Sequence, residues 1–346
     1  MAIVTASKDR NQILVQAARA YYEEGRTQEE IAQALQVSRS QVSHYLREAR
    51  DLGIVQIRVV EPTERAADIE IQLGRRFPHL KYLRVLPLFG RDSEVVRRVV
   101  GRAAAGVLED LVRPGHRVCI GCGRTLREMV RSLRPSPQEN VALVQAMGSI
   151  GHEALDIDFA ELAREAARAF GARVFVIPAP AILGAGTARE LIEGNPTIAR
   201  AMELARSADV YVVGLGSLES DLIYSRAGLV SAPEFAHLQA IGVVGDICGR
   251  FFDSNGKPLR SKFEERVVGI ELEDLRRASV AIGVAGGGEK IAPLLGVLRG
   301  GYLNGIVTDE QTALGMLRLD EGGKIATERQ EGEESTRLSR KEVMSS

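Results

Sequence analysis

The sequence contains no tryptophan, and its aromatic residues amount to only 5%. A chain so poor in rings cannot lay out the succession of aromatic platforms on which single-stranded nucleic acid stacks. Cysteine is scarce as well, with Cys119, Cys122 and Cys248 forming the whole complement. An odd, sparse set excludes a disulfide framework and points to a reducing compartment. Cys119 and Cys122 have C-x-x-C spacing, but Cys119 falls inside the apolar run Val118-Cys119-Ile120. No second pair is present to close a four-ligand zinc site, so no metal is expected. No signal peptide opens the chain and no apolar run approaches the roughly 20 residues of a membrane span, which makes the cytoplasm the expected compartment. Neither sign of charge is in excess: 45 Lys and Arg against 46 Asp and Glu leave a net −1. Any contact with nucleic acid must therefore rest on local positive charge.

What is there is an ordinary globular mixture, 45% apolar and 26% charged over 346 residues, enough for two domains. The expected boundaries are a reader over 1–60, a linker over 61–66, a large domain over 67–319 and a charged, disordered tail over 320–346.

The reader is built from three short helices. Ile13, Leu14, Ala17, Ala18 and Tyr21 recur at helical spacing on one face of a segment from Arg10 to Glu24, which Gly25 stops. Thr27 and Glu30 form a capping box for a second helix through Ile31 to Leu35. After the turn Gln36-Val37, Ser38 and Gln41 cap a third helix, whose buried face is Val42, Tyr45, Leu46 and Ala49. Two short helices joined by a tight turn make a helix-turn-helix, with Ala32 and Val37 packing the angle. The third helix presents Arg39, Ser40, Gln41, Ser43, His44 and Arg47, side chains that can reach base edges and phosphates in a major groove. Residues 1–60 sum to only +1, but Ser38–Arg50 carries three arginines against Glu48. The positive charge is thus focused where double-stranded operator DNA would lie. The run Ile54–Val59 reads as a strand or wing. So small a reader gains specificity by pairing, which makes a homo-oligomer, dimer or tetramer, the expected state.

The large domain alternates strand and helix. Strands are expected near Leu83–Leu88, Arg117–Ile120, Val141–Ala146, Arg173–Ile177, Val210–Gly214, Ile241–Val244, Val267–Ile270, Val280–Val284 and Leu303–Val307. Helices are expected at 64–76, Ser93–Leu111, Leu126–Leu133, Leu155–Phe170 and between Ala188 and Arg206. Such a pattern describes an α/β domain with a mostly parallel sheet covered on both faces. Ligands of such sheets bind beyond the carboxyl ends of the strands. Five glycine loops fall there: Gly121-Cys122-Gly123-Arg124-Thr125-Leu126, Met147-Gly148-Ser149-Ile150-Gly151-His152, Gly214-Leu215-Gly216-Ser217-Leu218-Glu219, Gly242 to Asp253, and Gly286-Gly287-Gly288-Glu289-Lys290. Glycines let backbone N–H groups approach an anion, and a helix N-terminus adds partial positive charge. Arg124, the Thr125 hydroxyl and Lys290 add donors. The expected ligand is small, polar and phosphorylated, with no separate cofactor.

Taken together, Gly121–Leu126, Gly214–Leu218, Gly245-Asp246-Ile247-Cys248-Gly249-Arg250-Phe251-Phe252-Asp253, Gly283 to Lys290, Leu298–Asn304 and Thr308-Asp309-Glu310 resemble the SorC family of sugar-binding transcriptional regulators. The resemblance runs from the helix-turn-helix to about Leu317. It implies a large domain similar to sugar-phosphate isomerases and glucosamine-phosphate deaminases, reused as a sensor of a phosphorylated sugar. By that resemblance Gly123, Arg124, Thr125 and Lys290 would hold the phosphate, with Gly121, Gly148, Gly214, Gly216 and Gly287 shaping the site. Asp246 would accept a hydrogen bond from a sugar hydroxyl, and Met147 would shape selectivity. Some members carry Lys or Arg at the Met147 position; methionine can neither form a Schiff base nor hold a second phosphate. The competing reading is an isomerase- or deaminase-type enzyme with a DNA-binding head. It would need positioned acids and bases, for which the loops supply only Glu219, Asp221 and a lone His152, and no catalytic residue is assigned.

Overall fold

Hydrophobic periodicity separates the chain into a helical head and an α/β body. The computed structural model describes residues 2–55, 66–87, 92–150, 158–218 and 223–322. The chain divides into two compact units, Met1–Pro62 and Thr63–Ser346.

The first unit holds α1 (Ala2–Tyr22), α2 (Gln28–Leu35) and α3 (Arg39–Asp51). Leu14, Ala17 and Ala18 from α1 meet Ile31, Ala32, Val42, Leu46 and Ala49 in its core. Two details differ from the expected pattern. Helix α1 starts well before Arg10, and its face is narrower than the sequence spacing implies: Ile13 and Tyr21 are exposed. The α2–α3 turn closes through Gln36, left-handed at φ 52°, whose N–H reaches back to Ala32. Ile54 and Val55 form a bend rather than a strand; the rest of the expected wing lies outside the described residues.

The second unit is built on seven strands: β1 (Tyr82–Leu86), β2 (Arg117–Ile120), β3 (Ala142–Gln145), β4 (Arg173–Phe175), β5 (Val210–Val213), β9 (Val280–Val284) and β10 (Gly305–Asp309), all parallel, in the order β1-β10-β9-β5-β2-β3-β4. Alternate residues of these strands feed two cores. Val118, Ile120, Val210, Val212, Ile282 and Val284 face one side, packed with α5 (Ser93–Leu111), α6 (Arg124–Ser132) and helix Phe159–Phe170. Cys119, Tyr211, Val213 and Ala281 face the other, packed with Ile69 and Leu73 of α4 (Ala67–Arg76) and helix Ile291–Arg299. Burial on both faces explains why the strands read as unbroken apolar runs.

A second sheet, antiparallel, joins β6 (Gly216–Ser217), β7 (Gly245–Ile247) and β8 (Arg250–Phe252). It corrects the strand expected at Ile241–Val244. Gly242 takes φ +82° and breaks that run, and the hairpin forms later around Cys248 (φ 51°) and Gly249 (φ 77°). Two consecutive positive φ values are the signature of a tight hairpin turn. The strand expected at Val267–Ile270 is also absent. Val267 and Gly269 make only single bridges, to Ile182 and Met147. At the far end a helix spans 310–322, so the chain is still ordered where a charged tail was expected from Asp320 onward.

Candidate functional site

Ser38 fixes the start of α3 by a reciprocal cap. Its Oγ accepts the Gln41 N–H at 3.2 Å, while Gln41 Oε1 accepts the Ser38 N–H at 3.1 Å. The oxygen of Gln41, expected at a base edge, therefore serves the cap, and Nε2 is its remaining group. Ser40 Oγ lies 2.9 Å from Ser38 Oγ. Arg39, Ser40, Gln41, His44 and Arg47 are exposed and Ser43 is half-buried. Among the described residues neither Arg39 nor Arg47 enters an ion pair. Glu48 accepts hydrogen bonds from Arg10 Nε at 3.0 Å and Nη2 at 2.8 Å, which hold its carboxyl below the ordinary range. That acid is matched by Arg10 and does not cancel the charge of Arg39 and Arg47; His44 lies 3.8 Å from it.

In the large unit, the neighbouring parallel strands β2, β5 and β9 end at one rim, and the loops that follow them line one cavity of about 70 Å³. Gly123, Arg124, Thr125, Gly214 and Lys290 all face it. Most helices of this unit are capped by their own side chains, among them those begun by Asp92, Asp158, Thr187, Asn195 and Ser231. The two elements that start at the cavity are not. Helix α6 begins at Gly123 (φ 137°) and the turn Gly288–Lys290 begins at Gly287 (φ 102°), neither with a side-chain cap. The first N–H groups of such elements lack internal partners and attract an anion. Lys290 is half-buried beside them. Burial pushes its amine pKa down, Arg124 and Arg97 push the same way, and Glu289 and Asp246 oppose them. An arriving anion would relieve this crowding of positive charge.

A second cluster adjoins the cavity through Cys122, which lines it. Met147 is buried, with Sδ 4.0 Å from both Cys122 Sγ and Tyr224 Oη. The Tyr224 hydroxyl donates to Asp246 at 3.0 Å, and the Gly249 N–H donates to the same oxygen at 2.9 Å. Burial raises the Asp246 pKa, while these two donors and Lys290 hold it down. Gly216 faces Asp246 across the β6–β7 pair. Two predicted glycines answer instead to packing: an added Cβ would lie 3.3 Å from the Val213 Cα at Gly121, and within 2.5 Å of the Ala179 and Pro180 carbonyls at Gly148. Burial pushes the Cys248 thiol up to about 12 and Cys122 also well up, which leaves them poor nucleophiles. Among the described residues no group of three or more His, Cys, Asp or Glu is placed to hold a metal, and no helix is long and apolar enough to cross a membrane. Glu219, Asp221 and His152 lie outside the described residues.

Residues 61–318 match the Sugar-bind family of sugar-binding domains, and residues 12–51 match sigma-70 region 4. The deoxyribonucleoside regulator of Bacillus subtilis is 30% identical over 306 residues, covering 88% of this chain and 97% of that protein. The chain belongs to the SorC family of sugar-binding transcriptional regulators. Transcriptional regulator LsrR of Escherichia coli K12 is 31% identical over 302 residues, 86% of this chain and 92% of the relative. The crystal structure of the full-length sorbitol operon regulator SorC from Klebsiella pneumoniae superposes with a TM-score of 0.70 at 30% identity, covering 88% and 98% of the two chains. This SorC-family chain is accordingly a transcriptional regulator with a helix-turn-helix region and a sugar-binding effector domain, and its relatives are named as regulators rather than enzymes.

Three residues in or beside the cavity escaped sequence reasoning. Arg97 and Glu289 line the cavity, and Tyr224 holds Asp246. Glu289 stands in the glycine loop and could have been found there. Arg97 is one arginine among several on an amphipathic helix, and Tyr224 follows a segment without periodicity, so neither carries a local signal.

Proposed function

We propose that the effector is a phosphorylated sugar, that its phosphate enters the cavity between Arg124 and Lys290, and that its binding changes operator affinity. The observation that carries this reading is the convergence of two cations and two uncapped, glycine-started elements on one small cavity. Its volume suits an oxyanion rather than a whole sugar. The sugar would extend toward Asp246, Tyr224 and Met147, which supply a carboxylate, a hydroxyl and an apolar wall. A phosphomonoester carries close to two negative charges at neutral pH, whereas a free sugar brings no charge to Arg124 and Lys290. Lys290→Ala is expected to weaken a phosphosugar by about 1.5–3 kcal/mol, the range for hydrogen bonds to charged groups. The matching free sugar, already weak, should be unaffected. Calorimetry on both proteins checks this, and a free sugar that binds as tightly as its phosphate rejects the reading.

The same proposal places Arg39 and Gln41 at base edges and Arg47 on a phosphate, in a homo-oligomer on a roughly palindromic operator, with Ser40, Ser43 and His44 as flanking contacts. Arg39→Ala should cost roughly 1–3 kcal/mol on the operator and relax specificity. Arg47→Ala should weaken operator and random duplex alike. Titration of both duplexes measures the affinities and the number of chains per operator; one chain per operator, or unchanged affinity in both variants, refutes this arrangement.

A further inference from the structure

We propose that Thr312 and Asp309 are positioning residues: their side chains hold the backbone of Gly287 and so place Lys290 at the cavity. The proposal rests on the reading of this cavity as the phosphate site, and it assigns the Gly287 N–H to the protein rather than to the ligand.

Asp309 ends β10, and Thr312 lies in the first turn of the helix over 310–322; both are buried. The Asp309 carboxylate works in two directions. Its Oδ1 accepts the Thr312 N–H at 2.9 Å and so starts the helix. Its Oδ2 reaches across to the loop after β9, where it accepts the Gly287 N–H at 2.8 Å. The Thr312 hydroxyl completes the set: it donates to Asp309 Oδ2 at 2.6 Å and accepts the same Gly287 N–H at 2.8 Å. These directions are fixed, because a carboxylate accepts and a backbone N–H only donates. The carboxylate also lies against the loop itself. At Gly286 an added Cβ would meet Asp309 Oδ2 at 2.6 Å and Val96 Cγ1 at 2.8 Å.

Gly287 passes this hold to Lys290. Its carbonyl accepts the Lys290 N–H at 2.9 Å, the bond that closes the turn Gly288–Lys290. One residue thus has its N–H fixed by β10 and the final helix, and its carbonyl fixed on the main chain of Lys290, whose side chain lines the cavity. A side chain that meets a ligand keeps its aim only if the groups behind it are themselves held. The Gly287 N–H, already shared between two acceptors, is not left for an anion, so Gly287 serves the site through Lys290. Thr312→Val is a sharper test than any change at Asp309, because it keeps the shape of the side chain and alters no charge. Arg124, Lys290, Glu289, Asp246 and Asp309 all stay in place, so a loss of anion affinity cannot come from their balance.

The test titrates the full chain with inorganic phosphate. Dissociation constants are measured for the parent, Lys290→Ala, Thr312→Val, Thr312→Ser and the double variant of Lys290→Ala with Thr312→Val, with circular dichroism to show that each is folded. Thr312→Val should weaken phosphate by about 5-fold, and Thr312→Ser, which keeps the hydroxyl, should stay within about 2-fold of the parent. In the Lys290→Ala background the same Thr312→Val change should cost less than about 2-fold, since residues that act through one side chain are not additive. A purely structural role would cost the same in both backgrounds. Full affinity in Thr312→Val, an equal loss in Thr312→Ser, or an undiminished cost in the Lys290→Ala background overturns the role of Thr312. If Thr312→Val does not fold, Thr312→Ala makes the same comparison with a smaller side chain. If Lys290→Ala weakens phosphate and Thr312→Val does not, only this inference falls. If Lys290→Ala leaves phosphate binding unchanged, or the parent binds none, the phosphate reading of the cavity falls and this inference with it.

Discussion

Asp320→Ala is expected to destabilise the large unit by about 3 kcal/mol, the lower end of the cost of breaking a buried ion pair. Asp320 is 3% exposed at the end of the 310–322 helix. Arg299 donates to its Oδ1 through Nε at 3.0 Å and Nη2 at 2.7 Å, and Arg76 of α4 binds Oδ2. One carboxylate thus ties three helices together. The estimate sits at the low end because both guanidinium groups are partly exposed and can turn to water when the acid is removed. For a unit of this size the loss corresponds to roughly 2–4 °C in Tm for each kcal/mol. Burial alone would raise the Asp320 pKa; the hydrogen bonds from Arg76 and Arg299 more than reverse this and hold it below the usual carboxylate value. A depressed folded pKa means that the contribution is complete above the unfolded value of about 3.9 and fades as the pH falls through the lower folded value. Urea unfolding of parent and Asp320→Asn at neutral pH and in acid measures it. The gap should be widest at neutral pH and close in acid. A gap under about 0.5 kcal/mol at neutral pH would show that the helix end is not docked in solution.

Gly216→Ala should have the largest effect on effector response. Gly216 and Asp246 are direct partners across the β6–β7 pair, and the Asp246 carboxylate folds over the bare Cα. An added Cβ would stand 1.8 Å from Asp246 Oδ1 and 2.9 Å from Cγ. The carboxylate cannot yield without giving up the Tyr224 hydroxyl and the Gly249 N–H, each worth on the order of 1.5–3 kcal/mol to a charged acceptor. Sugar-phosphate affinity is expected to fall by about 100-fold or more, which is roughly 2.7 kcal/mol. Operator binding without effector should persist, since the helix-turn-helix belongs to the other compact unit. Calorimetry paired with an operator-release assay reads both quantities. Normal effector binding by Gly216→Ala would remove the Asp246 carboxylate from the site.

Which features were legible in the sequence follows from how local their causes are. The caps at Thr27 and Ser38 depend on residues three apart, and both form as read. The main parallel strands were readable because burial on both faces leaves an unbroken apolar run, as in Val210–Val213. The same rule misplaced Ile241–Val244, where composition says strand but the left-handed Gly242 turns the chain. It also misplaced Val267–Ile270, whose apolar residues cross toward Ile182 and Met147 without a continuous ladder. Asp320 looked like the start of a tail because its two arginines lie far away in sequence. The cavity was half legible: Arg124 and Lys290 follow glycine loops, whereas Arg97 reaches it only because α5 packs at Gly101 on α6 and at Val96 and Val100 on Gly286, a tertiary fact with no local trace.

The position of β10 in the sheet has a consequence for synthesis. Its register runs Tyr82 to Gly305 on one side and Ile282 to Gly305 on the other, so the last strand made is inserted between the first strand and β9. The effector domain therefore cannot close its sheet while the ribosome is still extending the chain toward residue 309. Until then β1 and β9 each present an unpaired edge, the kind of surface that recruits other chains. The helical head closes its own core within residues 2–55. A nascent or prematurely ended chain is thus a folded DNA reader attached to an open sheet. Control by the effector therefore begins only once residue 309 has been made and β10 has entered the sheet.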